Sequence, residues 1–267
     1  MTVLVHAVVS LGMLVVVPLG LTLLPTRTTS TRWWFAFAIP GALALWLPRG
    51  PVSITFASTY LAGTLVLITL AGRHLLQHKA IRPREIALYT ALATPSIAAL
   101  ALVAERSSYE LFGFSLTVLT LTVAHFHFAG FAAALIAYLV SDRPGTTTTV
   151  AAISVPLGTG IVLLGFFVGD AVELAGAAVL TAGMWLVGWN LWRRSRQAGR
   201  ATAALLISSA SVLVVTMVLA LIWALGHVIG TPYLPLEWMV ATHGLANAVG
   251  FALCGVLAWR RLMEGVR

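Results

Sequence analysis

Charge is the scarcest property of this chain. Only 9% of its 267 residues are Asp, Glu, Lys or Arg, against about 25% in a soluble globular domain. That is too few polar side chains to cover a water-facing surface, and it excludes a soluble domain. Cysteine is nearly absent too. With Cys254 alone, no intrachain disulfide can form and no redox compartment can be inferred. Residues 2–24 are apolar but have no basic leader and no A-x-A-like site, so they are expected to be a retained span rather than a cleaved signal. The chain contains no nucleotide-binding loop, no serine-hydrolase elbow and no aspartate-rich prenyl-diphosphate motif, and its one H-x-x-x-H spacing, His74 and His78, falls in a basic loop where both are expected to be solvated. An ATP-driven pump and a diphosphate-ionising synthase are thereby disfavoured. No 20–50-residue repeat is evident, and low complexity is confined to Thr146–Thr149.

What is present is hydrophobic: 60% of residues are apolar and the mean hydropathy is +0.97. Because a helix needs about 20 apolar residues to cross a bilayer, the chain reads as an all-α, polytopic transmembrane bundle forming a single integral membrane domain over 1–267. Nine apolar segments can be drawn, at roughly 2–24, 33–48, 51–72, 85–104, 111–140, 150–169, 171–192, 201–230 and 237–259. The second is short and carries Pro40, so a kink or partial insertion is expected there. The fifth exceeds what a bilayer requires.

The net charge of +8 does not signal nucleic acid, because the basic residues sit in short tracts between apolar runs, where they orient spans. With nine spans, Arg27, Arg32, Arg73, Lys79, Arg82, Arg84, Arg143, Arg193, Arg194, Arg196, Arg200, Arg260, Arg261 and Arg267 share one side, leaving Arg49 and Arg106 opposite. The positive-inside rule then places the C-terminus in the cytoplasm and the N-terminus outside. The expected setting is the bacterial cytoplasmic membrane, with the lipid bilayer as partner and no nucleic acid. Glu105, Glu110, Asp170, Glu173 and Glu237 fall at the outer ends of spans, as solvated caps or as an acidic rim.

Two stretches carry the chemistry. VAHFHFAGF places His125 and His127 inside the fifth segment, and THGLANAVGF places His243 and Asn247 inside the ninth. Imidazoles within a span are costly unless they meet a partner or a polar cavity. At about 1.5 Å per residue, His243 lies roughly 10 Å and Asn247 roughly 16 Å from the outer end of their span. His243 and Asn247 are i and i+4 and share a face. His125 and His127 are about 200° apart on a regular helix and cannot both face one small site; either could be the cavity-facing one. Thr122 shares a face with His125. A lone intramembrane histidine is also a common interhelical hydrogen-bond partner, worth about 1 kcal/mol. Trp33, Trp34, Trp46, Tyr109, Trp189, Trp192, Tyr233 and Trp238 fit an interfacial belt.

AHFHFAGF together with HGLANAVGF resembles the YndJ-like family of bacterial membrane proteins, which carry HFHYAGF-type and HGxxNAxGF-type stretches; Phe128 stands where Tyr is common. That family is sometimes labelled a transporter. VAHFHF and HGLANA are also similar to haem-ligand stretches of heme-copper oxidase subunit I. That resemblance implies a haem b with His127 and His243 as axial ligands, and His125 facing a second centre. Against it, the order along the chain is reversed and no copper-site histidine cluster is evident.

Three functions therefore compete. The first is an intramembrane enzyme acting by histidine acid–base chemistry on a lipophilic, isoprenoid- or lipid-like substrate, an isomerase or cyclase without a cofactor or metal. In it, His243 and His127 (or His125) are the acid–base groups, Asn247 orients, and Glu173, Asp170 or Glu110 tunes the imidazoles. Trp223, Trp185, His227, Thr122 and Tyr109 are the candidate substrate-binding residues. The second is a haem-binding redox protein, and the third is a small-molecule transporter.

Overall fold

A computed structural model describes residues 1–24, 31–79, 81–231 and 233–265. Arg27 and Arg267, both used above for orientation, lie outside the described residues. The fold is helical throughout, and each of the nine apolar segments becomes one helix: α1 (Thr2–Leu21), α2 (Arg32–Trp46), α3 (Pro51–His78), α4 (Pro83–Arg106), α5 (Leu116–Val140), α6 (Thr146–Val168), α7 (Asp170–Ser195), α8 (Arg200–Val228) and α9 (Leu236–Glu264). Among the described residues, eight of these are long and apolar enough to cross a membrane. The exception is α2. Its 15 residues reach about 22 Å, short of the roughly 30 Å hydrocarbon core.

Local sequence fixes the helix ends. Pro51 opens α3 where its missing N–H costs nothing, and the Gly50 N–H is taken by Ser53 Oγ at 3.1 Å. Lys79 closes the same helix in the left-handed conformation, with φ 49°. Ser115 caps α5 by accepting from the Val118 N–H at 3.4 Å. Gly169, with φ 141°, lets α6 turn directly into α7.

Three helices depart from the α pattern. Wide π turns occupy Gly12–Val16 in α1, Phe126–Ala132 in α5, and Val240–Gly244 and Ala246–Leu253 in α9. The last three cover most of the two histidine-bearing stretches. A π turn interrupts the i→i−4 ladder, and side chains reach carbonyls in or beside these turns. Trp34 Nε1–H donates to Met13 O at 2.8 Å, and Ser209 Oγ–H donates to Phe251 O at 2.9 Å. Trp34 is thus fully buried instead of joining the interfacial belt.

The chain divides into two compact units. The N-terminal unit comprises 2–81 and 89–132. In it α2 packs along α3, and the π turn of α1 meets that of α5. The C-terminal unit comprises Met1, 82–88 and 133–267. Its frame is α6 against α7 and α7 against α8, with Val162, Ala177 and Ala224 at the contact and Leu174 and Leu221 packed on them. At the other end of α7, Arg194 pairs with Asp142 at 2.6 Å and lies 4.3 Å above the Trp259 ring.

Candidate functional site

Within the N-terminal unit, His127 is fully buried. Its Nδ1 lies 2.6 Å from Val123 O and its Nε2 lies 2.5 Å from the Tyr60 hydroxyl. A carbonyl only accepts, so Nδ1 carries the proton, and Nε2 of the neutral ring accepts from the Tyr60 O–H. The two rings stack with centroids 5.8 Å apart. Gly12 of α1 backs directly onto this histidine: a Cβ added there would sit 2.9 Å from His127 Cβ. The hydroxyl and the carbonyl between them consume both nitrogens of His127. That arrangement does not fit an axial haem ligand, which must offer a free nitrogen, and no chemistry is routed through haem. The sequence leaves either His125 or His127 free to face a cavity; the structure places His127 in a closed contact.

His125, at the last α turn before the π segment, is partly exposed and meets Phe126 edge-on at 5.8 Å. Thr122 donates to Val118 O of its own helix. Tyr109 and Glu110 are exposed in the turn after α4.

Within the C-terminal unit, one residue of α8 organises the other stretch. Thr216 O accepts from His243 Nδ1–H at 2.8 Å, and Thr216 Oγ1 lies 3.0 Å from Asn247 Oδ1 and 3.0 Å from Val212 O. A hydroxyl has one proton to give. If it goes to Val212 O, the Asn247 amide completes the contact by turning its NH₂ toward Oγ1. His243 is partly exposed, and its Nε2 has no hydrogen-bond partner among the described residues. The carbonyl fixes the tautomer, so Nε2 is the basic nitrogen. Thr216 and residues on either side of His243 (Ala241, Thr242, Leu245) line an open, apolar groove of about 690 Å³ between α8 and α9.

Asp170 and Glu173, at the start of α7, come together with His227, near the end of α8. Ligand atoms of the three lie within 4.8 Å of one another. His227 Nδ1 is 3.3 Å from Glu173 Oε2, and Trp223 packs edge-on against the imidazole at 5.1 Å. Trp185 is 43% exposed and donates its indole N–H to Leu213 O at 3.2 Å.

Thus the structure joins His243 with Asn247, and Asp170 and Glu173 with His227, while His127 is joined to a tyrosine. Sequence reading missed Tyr60 and Thr216. Each is one hydroxyl among several in apolar spans, and Thr55, Thr59, Thr120 and Thr122 look the same but bond their own helix. It also missed that Glu105, 1% exposed, lies between Arg49 and Arg106.

No curated protein and no solved structure matches this chain. The family model described as YndJ-like protein matches residues 7–251, a region that takes in both histidine-bearing stretches. The chain belongs to the YndJ-like family.

Proposed function

We propose that the C-terminal unit is an intramembrane acid–base site for a lipophilic, isoprenoid- or lipid-like molecule, with His243 Nε2 as the proton-accepting atom. The observation that carries this reading is the Thr216 contact, which holds Nδ1–H and leaves Nε2 without a partner among the described residues, while Thr216 itself and the His243 neighbours Thr242 and Leu245 line the apolar groove. A bilayer-borne substrate would lie along the groove wall of Val212, Val215 and Val249, and Asn247 would orient its polar end. Nε2 takes a proton from one carbon, the Thr216 carbonyl steadies the imidazolium through Nδ1–H, and the same nitrogen returns the proton at a second carbon. The net result is an isomerisation in which no atom is gained or lost. The setting proposed is the bacterial cytoplasmic membrane, with the N-terminus outside and most basic loops in the cytoplasm.

His243→Asn tests this, because the Asn amide can replace Nδ1–H toward Thr216 but supplies no Nε2. Lipid extracts of cells producing the two proteins are compared by chromatography and mass spectrometry. A species present with the wild type, and replaced by an isomer of the same mass in the variant, supports the proposal. Identical extracts from equally abundant proteins contradict it. They would turn attention to transport, which the wide turns in three spans favour, since interrupted helices are where transporters bind their substrates.

A further inference from the structure

We propose that Asp170, Glu173 and His227 form a binding site for a divalent transition-metal cation, separate from the His243 site. Thr216 and His227 lie eleven residues apart on α8, about 16 Å at helical rise.

The donor set is one imidazole and two carboxylates, which suits zinc and its neighbours. It comes from two helices, α7 and α8, that pack on each other with Ala177 and Ala224 at the contact. A Cβ on Gly165 of α6 would lie 2.4 Å from the backbone nitrogen of Glu173, so the start of α7 cannot shift freely. Asp170 and Glu173 are one helical turn apart and point the same way. The positive end of the helix dipole explains why acids are tolerated at this position, but not why an imidazole from another helix closes on them. Nor does the sequence supply a cation to balance them: there is no Lys or Arg between Arg143 and Arg193, or between Arg200 and Arg260. Among the described residues, the ends of α7 and α8 that meet here carry two carboxylates and, apart from His227, no basic side chain of their own.

The geometry is close to what a metal requires. Ligand atoms on a tetrahedral zinc are roughly 3.4 Å apart, given bonds of about 2.1 Å. The His227–Glu173 pair already stands at 3.3 Å, and the exposed Asp170 side chain completes the set by rotating inward. Three protein ligands leave a fourth position for water, the pattern of an open zinc site. Glu173 is 12% exposed and His227 36%, so the site is reachable from outside the protein.

Isothermal titration of the full-length protein in detergent, stripped with chelator and desalted, tests the site with ZnCl₂ and MgCl₂. The wild type is expected to bind one Zn²⁺ per chain, with Mg²⁺ at least 10-fold weaker. Glu173→Gln and His227→Ala are each expected to weaken Zn²⁺ at least 10-fold, and Asp170→Asn serves in their place should either variant fail to purify. His74→Ala is the control, since His74 and His78 stack at 4.0 Å and form another histidine pair; it is expected to change nothing. Absence of stoichiometric Zn²⁺, affinity unchanged by the site variants, affinity lost only on His74→Ala, or Mg²⁺ binding as tightly as Zn²⁺ would each overturn the proposal.

Discussion

Two histidines that look alike in sequence differ in whether a ring nitrogen is left to act. His127 spends both on its own unit, on Val123 O and the Tyr60 hydroxyl; His243 spends one, on Thr216 O. Tyr60→Phe removes the hydroxyl and leaves a buried imidazole nitrogen without a donor, which costs about 1–3 kcal/mol. The expected outcome is a lower unfolding midpoint in detergent with the lipid profile of the cells unchanged. A changed profile at normal stability would make His127 a participant in the chemistry. That His243 and Asn247 share a face was legible in the sequence, because i and i+4 always do on a helix. That Thr216 holds both was not. Its hydroxyl bonds Val212 O as any helical threonine would, and its carbonyl carries no sequence signal.

The helices themselves were legible, since unbroken apolar runs of this length have no other stable form in a bilayer. The short α2 was legible as well, from the length of its run and from Pro40. The π turns were not. A reading based on 3.6 residues per turn assumes the ladder is intact, and Gly and Ala in AHFHFAGF and HGLANAVGF suggest close packing as readily as a change of pitch. In the first case both hold: the π turn of α5 meets that of α1 at Gly12. Gly12→Ala puts a methyl group 2.9 Å from His127 Cβ, an atom close to the backbone that cannot swing away. Overpacking of this kind costs about 1–3 kcal/mol. The variant is expected to show a lowered unfolding midpoint, and a midpoint unchanged from the wild type would show that the two π turns yield easily.

Across the molecule, the two arginines that broke the charge pattern prove to be structural. Arg49 holds Glu105 Oε1 with two N–H groups, at 2.7 and 3.0 Å. Arg106 pairs with the other carboxylate oxygen and donates to Ala44 O and Leu47 O, at 3.2 and 3.1 Å, at the end of α2. One acid thereby fastens the α2–α3 corner to the end of α4. Glu105→Ala leaves Arg106 buried without its partner, and a broken buried pair costs about 3–5 kcal/mol. The variant is expected to lose much of its folded yield after detergent extraction, and near-normal thermal stability would show that the triad is ornamental. Composition and loop charge made the membrane bundle readable. They left this corner unread, because arginine near a span end reads first as a topological signal.

The site proposed in the C-terminal unit stands or falls on one nitrogen atom. Mass spectrometry of lipids from cells producing wild-type or His243→Asn protein, at matched abundance, reads its contribution. An isomer formed by the wild type and missing in the variant is the expected result. The same isomer at the same level in both would mean that His243 Nε2 takes no part in the chemistry.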